Sequence, residues 1–317
     1  MLTTNREFLR RKSDTALSNL AMLHSSLDDV ADEPVVISLA LNDAIAAMVF
    51  RADYIGAIRI SQAIVDRYLD SAHLLHIAQH HALIGRCYAL LMEYPRAWEH
   101  MNMAETIAFD MLESSEDVRR LRADILHDVG MAMVQSGRDM DEAVRCFDKA
   151  LRILGHEGHS RRRAVCLMAI GNVRFFQKRY EDAQNYYMRS ESLLENTDDY
   201  YNLSTVLANL GSCHMCMGAY EMAETYHLRA LELRKRSGSY GDVAGSYFNL
   251  AILYERREEI RRAYDTMMRA SDYARLSQAR ELRIRIMREL EVLSLSLGDA
   301  DAAERHRQEL VEMEAAY

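Results

Sequence analysis

Seven alanines, Ala57, Ala97, Ala143, Ala183, Ala223, Ala263 and Ala303, follow one another at intervals of 40, 46, 40, 40, 40 and 40 residues. No other feature constrains the chain as much. A column of small residues lies twelve positions ahead of most of these alanines, and a second small or apolar column lies seven positions behind, so three columns recur together. A chain repeating at this period builds its core by stacking like units, each touching only its neighbours, and such an array argues for a binding surface. The clearest unit is LSTVLANLGSCHMCMGAYEMAETYHLRALEL, from Leu203. Leu207, Leu210, Gly211 and His214 mark one stripe of a first helix, Gly218 breaks it, and Tyr220, Ala223, His227, Ala230 and Leu231 mark a stripe of a second. Two antiparallel helices per unit follow. Bulk at Gly211 or Ala223 would keep them from the usual separation of about 8–10 Å.

Composition agrees with a helical chain. Only 13 Gly and 2 Pro (Pro34 and Pro95) are present, too few for a loop-rich β fold, and no sheet is expected. The start, MLTTNREFLRRK, has no apolar stretch after its basic residues, and the most apolar run, Val35 to Phe50, is interrupted by Asn42 and Asp43. Neither secretion nor a membrane span is expected. Five cysteines, an odd number scattered through helical segments, read as reduced core residues, which places the chain in the cytoplasm. A net charge of −9 repels polyphosphate on average, so nucleic acid is not an expected partner.

The unit phrase resembles the tetratricopeptide repeat, in which Leu-Gly is followed by Tyr, then Ala, then an aromatic and a small residue. The resemblance covers nearly the whole chain after residue 37. Ile45, Gly85, Gly130, Gly171, Gly211, Ala251 and Glu291 occupy its glycine column, and Tyr54, Tyr94, Met140, Tyr180, Tyr220, Ile260 and Ala300 its aromatic column. It implies an all-α fold, an α-solenoid superhelix of about seven antiparallel helix hairpins, phased as 38–77, 78–122, 123–163, 164–203, 204–243, 244–283 and 284–317. Residues 1–37 are expected to form a capping helix and a connection: Phe8, Leu17, Leu20, Leu23 and Leu27 recur at near-helical intervals between Thr4 and Leu27, and a dimerisation helix is the alternative. Two departures stand out. The period is near 40 residues and no terminal proline is present, as in the long-helix subgroup found in kinesin light chains, spindle-orientation adaptors and bacterial peptide-pheromone receptors. Between the second and third units, SSEDVRR (Ser114 to Arg120) and an extra residue in GRDMDEA lengthen the connections.

No catalytic phrase is present: there is no GxxxxGK, no GxSxG and no HExxH, so no enzyme activity and no cofactor are expected. His73, His76 and His80 fall at i, i+3 and i+7 on one helical face, a weak metal motif without an acidic or thiol ligand beside it. Cys213 and Cys216 form a lone CHMC phrase in mid-helix and read as core.

The family resemblance implies that first helices line a concave groove at fixed offsets from the small column. These offsets select Asn42; Gln79 and Arg86; Asp124, His127, Met131 and Gln135; Met168, Asn172 and Phe175; Thr205, Ser212 and Met215; Phe248, Glu255 and Arg256; Arg285 and Arg288. Amides can hydrogen-bond an extended backbone while Met and Phe form adaptable apolar pockets. Arg285 and Arg288, at i and i+3 and near Arg256, suggest an acidic ligand end at the C-terminal repeats. Asn42 and Ala46, with Ala82 and Arg86, do not form the carboxylate clamp of chaperone-binding family members, and chaperone tails are not expected. The expected function is a non-enzymatic adaptor or regulatory receptor for a protein or peptide segment. The alternative is a sensory or dimerising module of a bacterial signalling system, its effector domain on a partner or in a longer parent chain.

Overall fold

A computed structural model describes residues 45, 48–49, 53–68, 74–111, 115–156, 158–277 and 279–315. Among the described residues run thirteen α-helices and no strand: α1 (Tyr54–Tyr68), α2 (Leu74–Leu90), α3 (Tyr94–Asp110), α4 (Glu116–Gln135), α5 (Met140–Leu154), α6 (Ser160–Phe176), α7 (Tyr180–Leu194), α8 (Tyr200–Cys216), α9 (Tyr220–Ser237), α10 (Tyr240–Arg256), α11 (Ile260–Ser277), α12 (Arg280–Ser296) and α13 (Ala300–Ala315). The expected leading helix, with its dimerisation alternative, lies outside the described residues, as do Asn42 and His73. First helices begin at Leu74, Glu116, Ser160, Tyr200, Tyr240 and Arg280, ahead of the positions where the column phasing starts each unit. Column residues mark packing positions, whereas the opening turn is set by capping groups such as Ser115 and Asp199, whose side chains accept from Val118 and Asn202 backbone N–H groups.

The chain divides into two compact units, one ending at Ala169 and the other beginning at Ile170. In the first, consecutive helices from α1 to α5 pack on one another and the first helices α2 and α4 also touch. In the second, the same pattern runs from α7 to α13, with α8 touching α10. Among the described residues, six hairpins each close on one left-handed residue. Met92, Gly137, Lys178, Gly218, Glu258 and Gly298 all have φ between 60° and 77°, and the residue after each donates its N–H five residues back, as Ala219 does to the His214 carbonyl. This backward bond ends the first helix and reverses the chain. Glycine is favoured there because a Cβ is costly at positive φ, so a composition-based reading finds Gly218 and passes over Met92, Lys178 and Glu258.

The small column works by meeting one particular partner column. A Cβ added to Gly85, Gly130, Gly171 or Gly211 would stand 2.7, 2.6, 2.5 or 2.7 Å from Met101, Phe147, Tyr187 or His227 respectively. Each of these large residues lies four positions after a ladder alanine, on the facing second helix. One helix presents a hole and the other a knob. The two terminal repeats exchange the chemistry without losing the match. At the start, Ile45 fills the small column and Ser61 stands in the knob column, both fully buried. At the end, Glu291 replaces the glycine and Arg307 replaces the aromatic, and the Arg307 Nε donates to Glu291 Oε1 at 2.8 Å. The last deviation is therefore a paired substitution in direct contact, and the first pairs a large with a small residue by column position. The ladder alanines beside them are at most 2% exposed.

Candidate functional site

In the first unit, the face formed by first helices is laced by ion pairs between successive repeats. Arg162 donates from Nε and Nη2 to the two carboxylate oxygens of Asp124 at 2.8 and 3.1 Å, and Arg86 lies 3.9 Å from Asp128. Of the residues selected by the repeat offsets, Asp124 and Arg86 are thus engaged across the repeat step. His127 is half-buried and tilts against the Phe147 ring at 5.6 Å, which makes it part of the hairpin contact. Met131 and Met168 are half-buried, and Gln135 is exposed.

The second unit presents a different surface. Asn172 on α6 accepts at Oδ1 from the Tyr187 hydroxyl at 2.7 Å and from Asn209 Nδ2 at 3.1 Å. Both bonds fall on the carbonyl oxygen, so the amide is held in one orientation and its NH2 donors remain free of partners among the described residues. Tyr187 is 1% exposed, and burial raises its hydroxyl pKa, so it stays a donor. Phe175 meets Tyr180 edge-on at 5.3 Å, and Met215 packs along the core of α8 to α13 with its remaining surface open. The Ser212 hydroxyl is turned inward, donating to the Ala208 carbonyl at 3.0 Å.

Toward the end of this unit the three selected arginines separate. The Arg285 guanidinium lies over the Phe248 ring at 4.7 Å, a stacking that leaves its donors unspent. Arg256 is exposed and has no carboxylate partner among the described residues. Arg288 donates to Glu314 on α13 at 2.7 Å and is committed within the last hairpin. Three further residues also belong to this face, Asn209 outside the offsets and Val292 and Leu295 at them. Asn209 orients Asn172, and Val292 and Leu295 on α12 are 49% and 53% exposed in the columns occupied by Asn172 and Phe175 earlier. Large apolar side chains at those offsets were the available signal for Val292 and Leu295.

Of the histidine motif, His80 is buried with its Nε2 lacking a hydrogen bond, and burial followed by the charges of His76 and His81 pushes its pKa down to about 4. No group of three or more His, Cys, Asp or Glu side chains suited to a metal occurs among the described residues. Cys213 is buried, which pushes its thiol up to about 12, far from a reactive thiolate.

Paired helices, a small column facing a knob column and a fixed αL turn recur at one period, and residues 121–196 and 202–276 match the family model of the tetratricopeptide repeat. These two stretches are tetratricopeptide repeats. Among solved structures, the apo form of the quorum sensor NprR from B. thuringiensis is 14% identical, with a TM-score of 0.74 over 99% of this chain and 86% of that one. A Rap protein complexed with competence and sporulation factor is 15% identical, with a TM-score of 0.63 over 89% and 77%. Aspartyl phosphate phosphatase F from Bacillus subtilis is 13% identical, with a TM-score of 0.60 over 98% and 91%. At these identities the likeness is one of fold. No curated protein matches the sequence. No helix among the described residues is long and apolar enough to cross a membrane.

Proposed function

We infer that this protein is a cytoplasmic, non-enzymatic receptor or adaptor that holds an extended peptide or partner segment along the first-helix face of its second unit. The observation that carries the reading is the Asn172 amide. Its oxygen is occupied by Tyr187 and Asn209, so only donors are offered, and a peptide carbonyl is the matching group. Phe175, Met215, Val292 and Leu295 supply apolar contact on the same face. Nothing in this arrangement calls for a chemical step, and the likeness to a phosphatase extends to the fold alone. Capture from native lysate should recover a partner on the wild type and lose most of it on an Asn172→Ala, Phe175→Ala double variant. Equal capture by both sinks the groove assignment.

An acidic ligand end near the C-terminal repeats is part of the same reading, with Arg285 as its holder. With the captured partner in hand, Arg285→Ala is expected to weaken binding by about three- to tenfold and to flatten its salt dependence, as for a charge-assisted hydrogen bond. Arg288→Ala should do little to ligand affinity, because its guanidinium already serves Glu314. The opposite ranking of the two variants in a titration series would remove Arg285 from the site.

A second reading, a sensory or dimerising signalling module, is favoured by likeness to proteins described as a quorum sensor and as a Rap protein bound to a sporulation factor. Light scattering on the whole chain and on a chain lacking residues 1–33 tests it. A dimer that is insensitive to salt and lost on the deletion is the outcome this reading requires.

A further inference from the structure

The repeat pattern allows equivalent spaces in the two units to be compared, and one of them has lost its filling. In the second unit, Tyr226, three residues after Ala223, stacks on His214 with ring centroids 5.3 Å apart and planes 9° apart. Gln184, one residue after Ala183, approaches the same His214 at 3.4 Å. Between α7, α8 and α9 these three side chains close the gap. The equivalent positions in the first unit are Cys146, Met133 and Trp98 on α5, α4 and α3. A thiol is far shorter than a phenol, and it cannot reach across. The result is a cleft of about 450 Å³, floored by Trp98, Leu126, Val129, Met133 and Cys146. It belongs to the second-helix side and shares no residue with the face assigned above.

The rim of this cleft is cationic. Arg138, Arg145, Lys149 and Arg152 line it against Glu105 and Glu142. Arg138 lies over the Trp98 ring at 5.3 Å, Arg145 is paired with Glu142, and Lys149 stands 3.8 Å from Glu105. Arg152 is exposed and has no carboxylate partner among the described residues, and the Trp98 indole N–H has no hydrogen-bond acceptor there. A chain with a net charge of −9 therefore gathers an excess of positive charge around an apolar, aromatic floor. The volume falls in the range of about 300–1,000 Å³ typical of small-molecule sites.

We propose that the cleft between α3, α4 and α5 binds a planar organic anion, with an aromatic ring on the Trp98 and Met133 floor and a phosphate or carboxylate held by the Arg145 and Arg152 side of the rim. An aromatic ring fits because the floor offers the apolar surface of Trp98, Leu126 and Val129 and the polarizable thioether of Met133, and an anion fits because Arg152 is unspent.

The test uses the full chain with 1-naphthyl phosphate as probe, 1-naphthol as its neutral analogue and inorganic phosphate as the ring-free control. Calorimetry reads affinity, and the single indole N–H resonance of Trp98 reports the site, since the chain has one tryptophan. The expected result is saturable binding of one naphthyl phosphate with a shift of the indole resonance, and much weaker binding of both controls. Cys146→Tyr, which restores the filling seen at Tyr226, should weaken it by at least about tenfold by occupying the space the probe's ring would take. Arg152→Gln should weaken it by about threefold, as expected for an exposed ion pair, and lessen its salt dependence. The proposal is overturned by absent saturation, by naphthol binding as tightly, or by affinity unchanged in Arg152→Gln and in folded Cys146→Tyr. An acidic amphipathic peptide that moves the indole resonance when naphthyl phosphate does not would overturn it in favour of a protein segment. If circular dichroism shows that Cys146→Tyr has lost its helices, the exposed Arg152 variant decides.

Discussion

Gly171→Leu is expected to destabilise the second unit by about 3 kcal/mol or more, at the upper end of what overpacking costs in a well-filled core. Two effects oppose each other at this position. Replacing a helical glycine gains about 1 kcal/mol of backbone propensity. Against this, even a Cβ would stand 2.5 Å from the Tyr187 ring, and that ring is fixed by its burial and by its bond to Asn172. Steric cost is already present with a methyl group and outweighs the propensity gain as the side chain grows. The same logic predicts the remedy. The first repeat places Ile45 in the small column opposite Ser61 in the knob column, so Gly171→Ile combined with Tyr187→Ser should recover part of the stability lost by Gly171→Ile alone. Urea melts followed by far-UV circular dichroism give both values. Additive losses in the double variant would mean that the two columns are not exchanging volume.

Acid should weaken both units at a pH where most carboxylates are still ionised. His80 in the first unit and His227 in the second are 2% and 1% exposed, and their pKa values are lowered from 6.5 to about 4, first by burial and then by neighbouring positive charge. Unfolded, each imidazole binds its proton near pH 6.5. Folded, each stays neutral until about 4. Between these values the unfolded chain holds more protons, so stability rises with pH and is lost as pH falls through the window. The loss is about 3 kcal/mol per histidine once both states are protonated. Burial also lowers His81, His100, His214 and His306, which adds to the loss in the same direction. Glu224 acts later. Its carboxylate is held below its usual range by Tyr254, Arg262 and Arg257 against the opposing effect of burial, so its contribution is lost only below about pH 4.5. His227→Met is the informative variant, because Met101 and Met267 fill the same column in other repeats. Its midpoint of unfolding should vary less between pH 7 and 4.5 than that of the wild type. Superimposable profiles would show that His227 carries no proton linkage.

Much of this protein was legible in the alanine ladder. The period, the two-helix unit and the need for small residues at Gly85, Gly130, Gly171 and Gly211 follow from helical spacing repeated along one chain, whereas the face given to Asn172 and Phe175 is what the family resemblance implies. The reason is that a repeat confronts the same packing problem at each step, so a column reveals a shared environment. Less legible were the partners of the long side chains. Arg288 and Arg285 are equivalent by spacing, yet one reaches Glu314 and the other lies on Phe248. Asp124 is an open acceptor by its offset, but Arg162 takes both of its oxygens.

What the sequence by itself determined is the period, the hairpin and the face each residue occupies, because backbone geometry converts spacing directly into position. What only the tertiary structure decided is which polar groups on that face remain unspent, and where the packing leaves a space. Asn172 keeps its donors because Asn209 and Tyr187 converge on its oxygen. The cleft beside Trp98 exists because Cys146 falls short where Tyr226 fills the same position. Both outcomes depend on rotamers and volumes of side chains tens of residues apart, which a column of letters does not contain.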